Sequence, residues 1–206
     1  MSLVLPRRAL LVAAWVVVAA AATPLAMEAA PTARRHAAAG RQTRVNEDAQ
    51  LIGDFLKRVE AYLAVHKKAD GTLPEATNRG ASAEIDAHER ALQRLIAEAR
   101  GKAKAGDVFT QSIRAYFRRQ IARALAGPDG AQIRDSVMEE NPGPIKLRVN
   151  GRYPDTVPTS TMPPQILAAL PKLPTELEFR FIGDQLILLD VHAQLVVDYI
   201  EDAIRK

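Results

Sequence analysis

The side chains best suited to chemistry form the pattern Asp190-x-His192-x-Gln194, with Asp198 beyond it. On a strand, residues two apart point the same way. The Asp190 carboxylate would then orient the His192 imidazole, as a general base or a metal-ligating histidine requires. Together with Asp198 this sketches the site of a hydrolase or a metal-dependent enzyme. The competing reading is structural, because an antiparallel sheet with one solvated face produces such pairs by alternation alone.

Other constellations are thinner. His66 and His88 sit on or beside the apolar stripes of two successive helices, where antiparallel neighbours would bring them together as metal or haem ligands. One histidine per helix is equally what a hydrogen-bonded boundary residue looks like, and Glu84, four residues before His88, offers it a surface pair. Thr159-Ser160-Thr161 offers hydroxyls without a Gly-x-Ser-x-Gly or Ser-x-x-Lys context, so capping of the following proline-led helix explains them better. Arg114, Arg118, Arg119 and Arg123 flank one helix and suit a phosphate or an acidic polysaccharide, or else a solvated face neutralised by acidic neighbours. No phosphate-loop or dinucleotide glycine spacing occurs and there is no cysteine, so no cofactor is expected.

The elements that must position these residues fall into two halves. Leu51, Ile52, Phe55, Leu56, Val59, Tyr62, Leu63 and His66 keep helical spacing up to Lys67-Lys68, where cations suit the negative end of the helix dipole. Ser82 opens a second helix that ends by Gly101. Thr110 caps a third, which Gly127 stops, and a short fourth follows Pro128-Asp129. From Asn141 the period changes. Ile145, Leu147 and Val149 alternate with polar residues as a half-buried strand, and Pro163-Pro164 begins a short helix. Leu177, Phe179, Phe181, then Leu186 and Leu188, flank Gly183-Asp184 as a hairpin, since glycine supplies the positive φ of a tight primed turn. Val191 to Tyr199 alternates as a third strand, although Leu195, Val196, Tyr199, Ile200 and Ala203 also fit a helix. The expected fold class is α+β, a lobe of about four helices followed by a small antiparallel meander.

Whole-chain features bound where the protein works. Residues 1–22 carry Arg7-Arg8, an uncharged run from Ala9 to Ala22 and small residues at its end. That is the order of a secretory signal peptide; an uncleaved anchor is the alternative. Residues 23–44 are Ala-rich without apolar period and read as a disordered linker. A helical lobe follows over 45–140, then a proline-rich connection and sheet over 141–206, the two halves sharing one core or forming separate lobes. Eight of the 13 prolines lie between Pro142 and Pro174. The net charge of +4 includes Arg7 and Arg8, so the chain after residue 22 is nearly balanced and is not expected to bind nucleic acid.

The run ENPGPIKLRVNGRYPDTVP, with STMPP, LPKLP, LEFRFIGDQLILLD and LVVDYI after it, resembles a set of exported bacterial proteins. The resemblance implies a periplasmic or secreted location and carries over no activity, ligand or site residue. The sequence thus leads to an exported, non-enzymatic binding or interaction module with an envelope partner and no membrane span once the signal is removed. The alternative is the enzyme built on Asp190 and His192.

Overall fold

The computed structural model describes residues 32–74, 82–139, 145–157 and 162–204, with side chains from Glu47 onward. The expected signal peptide and the Thr159-Ser160-Thr161 cluster lie outside them. The chain divides into Met1–Gly40 and Arg41–Lys206. Of the first unit, only the backbone from Thr32 belongs to the described residues.

Helices come first: α1 (Thr32–Asp70), α2 (Ser82–Ala99), α3 (Gln111–Ala124), α4 (Gly130–Glu139) and the short α5 (Pro164–Ala169). The strands β1 (Leu177–Ile182), β2 (Gln185–Asp190) and β3 (Leu195–Ile200) then form one antiparallel sheet in sequence order, so the fold is α+β. Thr110 caps α3 through its hydroxyl, which accepts from the Ile113 amide. Gly183 turns β1 into β2 with φ +57°. α1 begins at Thr32, inside the stretch read from the sequence as linker, and alanine's helix propensity accounts for helix there without an apolar stripe.

The sheet is covered on both faces. Phe179, Leu186, Leu188, Leu195 and Val197 face the helices, where Phe55, Phe109 and Phe117 pack against Phe179 with ring centroids 5.6–6.5 Å away. Ile187, Leu189 and Val196 face the other way, onto Leu147, Tyr153 and Val157 of the proline-rich connection. β2 is therefore buried along nearly its whole length.

Two expectations fail here, each for a local reason. Residues 145–148 are not a strand, and Asn150 takes φ +62° and turns the chain; the connection meets β3 only beyond that turn, in backbone bonds from Asn150 to Tyr153 around an isolated bridge between Arg152 and Leu195. The third strand starts at Leu195 and not at Val191, since 191–194 is a turn in which Gln194 takes φ +47°. α5 begins as the proline pair led one to expect, with Pro163 at the cap position and Pro164 as its first residue.

Candidate functional site

Asp190 is the last residue of β2, on the face turned to α1, and its side chain is fully buried. Tyr62 and His66, four apart on α1, present their polar atoms on one side of that helix. The Tyr62 hydroxyl donates to Asp190 Oδ2 at 2.5 Å, and His66 Nδ1 lies 2.5 Å from the same oxygen. A carboxylate without its proton only accepts, so His66 carries a proton on Nδ1. Asp190 Oδ1 accepts from the backbone amides of His192 and Ala193, at 3.0 and 2.9 Å. Both carboxylate oxygens are thus engaged twice.

Burial opposes the Asp190 charge, but the hydrogen bonds from His66 and Tyr62 outweigh it and hold the carboxyl below its ordinary value. His66 is the mirror case. Burial pulls the imidazole down, while the Asp190 bond and charge, backed by Asp70 and Glu176, bring it above 6.5. Tyr62 is pushed well above its ordinary range, first by burial and then by the Asp190 charge. The Arg100 guanidinium lies over its ring, 4.9 Å from the centroid. Arg100 in turn donates to Asn150 Oδ1 at 2.7 Å and to the Val197 carbonyl, at 3.3 and 3.4 Å.

The expected dyad is therefore replaced by a different one. Asp190 does engage an imidazole, but that of His66 across the core. His192 sits in the turn after β2 with its ring exposed, and only its backbone reaches Asp190. The two histidine rings are 5.7 Å apart, centroid to centroid.

Asp198 serves a different place. β3 carries a bulge, Leu188 pairing with Asp198 and Leu189 with Val196, so that Val197 is the extra residue. The bulge changes the parity of the strand and turns Asp198, fully buried, towards the helical side. There it accepts from the amides of Gly106, Val108 and Phe109 ahead of α3, as well as from Tyr199.

The two helical histidines do not share a ligand set. His66 is spent on Asp190, and His88 Nε2 lies 3.1 Å from Asp70 at the end of α1; Glu84 is not its partner. Among the described residues, no group of three or more His, Asp or Glu side chains is placed to hold a metal ion. The arginines of α3 are mostly engaged: Arg114 with the Phe109 carbonyl, Arg118 with those of Glu201 and Asp202, Arg119 with Asp48 and Arg123 with Gln120.

A carboxylate-held imidazole is chemically equipped to act as a base. A base, however, must meet its substrate, and the His66 side chain is 3% exposed while that of Asp190 is 0%. The cleft of about 630 Å³ beside the pair is lined by Tyr62 and Arg100, not by His66 or Asp190. The arrangement pins the middle of α1 to the end of β2. One signal for it was legible: Tyr62 and His66 place polar atoms on an apolar stripe, and buried polar atoms require partners.

Another concavity lies elsewhere. A groove of about 710 Å³ runs between α5 and β1, walled by Met162, Pro164, Leu167, Leu173, Leu177 and Phe179. α5 turns Ile166 inward and leaves Leu167 50% exposed. Lys172, Glu178 and Arg180 stand at its sides, Arg180 paired with Glu178. No family model, curated protein or solved structure matches this chain.

Proposed function

We propose that the protein is a non-enzymatic binding module of the bacterial envelope or extracellular space. On this reading the α5–β1 groove takes an extended, uncharged peptide segment of a partner protein through that segment's apolar side chains. The observation that carries it is Leu167, a large apolar side chain left half-exposed in an apolar groove of ligand-site size. A peptide is favoured over a purely hydrocarbon ligand because the groove sets Lys172 and Arg180 as donors and Glu178 as an acceptor beside its apolar wall. A peptide backbone offers both complements, and the Glu178–Arg180 pair leaves little net charge to draw an anion. The hydrolase alternative has lost the orientation of His192 by Asp190 on which it depended.

The test is titration of the isotope-labelled chain with a panel of short uncharged peptides carrying apolar residues at alternate positions, with a long-chain fatty acid in parallel. Amide shifts should concentrate at residues 162–180 for peptides, and Leu167→Glu should abolish them while leaving the remaining spectrum in place. Binding of the fatty acid alone, no binding at all, or binding indifferent to Leu167→Glu would contradict the proposal.

A further inference from the structure

Between α3, α4 and the turn after β3 lies a third concavity, of about 350 Å³. Its walls are Ile121, Leu125, Ile204 and small alanines, and its polar side chains are Arg118, Arg119 and Arg134, with no acidic side chain among them. The three arginines are not equivalent. Arg119 is neutralised by Asp48, 2.7 Å away, and leans on the Tyr116 ring. Among the described residues, Arg118 donates only to the carbonyls of Glu201 and Asp202, which accept its hydrogens without cancelling its charge. Arg134, on α4, has no hydrogen-bond or ion-pair partner among the described residues, and its Nε is buried.

A buried guanidinium N–H without an acceptor is unfavourable, and proteins seldom keep one except where something supplies the acceptor. Here it borders a pocket with two cations and an apolar floor. We propose that this pocket binds a small amphiphilic anion, a carboxylate or phosphate head on a short apolar body. Arg134 receives the head through its planar fork, Arg118 adds the second charge, and Ile121, Leu125 and Ile204 cover the body. The site is distinct from the α5–β1 groove, whose cations stand beside a carboxylate.

The experiment is calorimetric titration of the full chain at constant ionic strength with hexanoate, hexyl phosphate, acetate, inorganic phosphate and neutral hexanol. Hexanoate or hexyl phosphate should bind, at least about tenfold tighter than acetate or inorganic phosphate, and the tighter of the two identifies the head. Arg134→Gln should weaken that binding at least about tenfold, whereas Arg123→Gln, on the same helix as Arg118 but outside the pocket, should not. The melting temperature of Arg134→Gln without ligand should stay at or above that of the parent, which separates lost recognition from lost fold. No binding by either amphiphile, equal binding by hexanol, or full binding by Arg134→Gln would overturn the proposal.

Discussion

Asp190 brings a charge into the core beneath α1 and is held there by four donors, two from side chains and two from backbone. Removing one partner leaves the rest buried and under-satisfied, which costs more than the bond contributed. Tyr62→Phe should therefore lower the unfolding free energy by roughly 1.5–3 kcal/mol in urea denaturation, the range for a hydrogen bond to a charged group. The pH dependence follows from the two directions of shift. His66 binds its proton more tightly folded than unfolded, so its contribution is complete below 6.5 and fades as the pH rises through the raised folded value. Asp190, held below 3.8, contributes above that pH and loses its contribution as the pH falls through the depressed value. The stability gap between the parent and His66→Gln should thus be widest from about pH 4 to 6.5 and narrow on both sides. A gap that instead grew as the pH rose past 7 would contradict the assignment of the charged pair.

Single residues also decide how the elements meet. Asp198 holds the loop before α3 by accepting three of its amides, a role that exists only because the bulge at Val197 turns that carboxylate to the helical face. Asp198→Ala strands those donors and should cost roughly 2–4 kcal/mol by the same denaturation measurement. Two glycines test packing in opposite directions. A Cβ on Gly53, inside α1, meets nothing within 4 Å, so Gly53→Ala should raise stability by about 0.5–1 kcal/mol. A Cβ on Gly130 would lie 1.8 Å from the Leu125 carbonyl oxygen, so Gly130→Ala should lower the melting temperature sharply or prevent folding. Elements written in local periodicity were legible, including the Thr110 cap and the Gly183 turn. The turn at 191–194 was not, because Val191, Ala193, Leu195 and Val197 alternate as smoothly as a strand. What breaks that run is Gln194 at positive φ together with the Asp190 bonds to the next turn.

Within Arg41–Lys206 the sheet is a middle layer, with helices on one face and the proline-rich connection on the other. The connection is tied in place by Arg100 and Gln93 to Asn150, and by Arg152 to Asp86 and Glu89 of α2. It also bonds along the outer edge of β3, at Asn150, Gly151 and Tyr153. A proline-rich connection was readable from its prolines. That it closes the second face was not, because an exposed polar face and a covered one give the same alternation until the partner residues, here Leu147, Tyr153 and Val157, are placed in space. The dyad was hidden for the same reason: His66 and Asp190 are 124 positions apart, and no local pattern links them. The central claim is that Asp190, which looks the most catalytic residue, is spent with Tyr62 and His66 on holding α1 to the sheet. The most direct test is the unfolding free energy of Asp190→Asn near neutral pH. The account predicts a loss of roughly 2–4 kcal/mol, as for breaking a buried, hydrogen-bonded charge pair. Unchanged or increased stability, the behaviour of a residue kept for chemistry at the expense of folding, would contradict it.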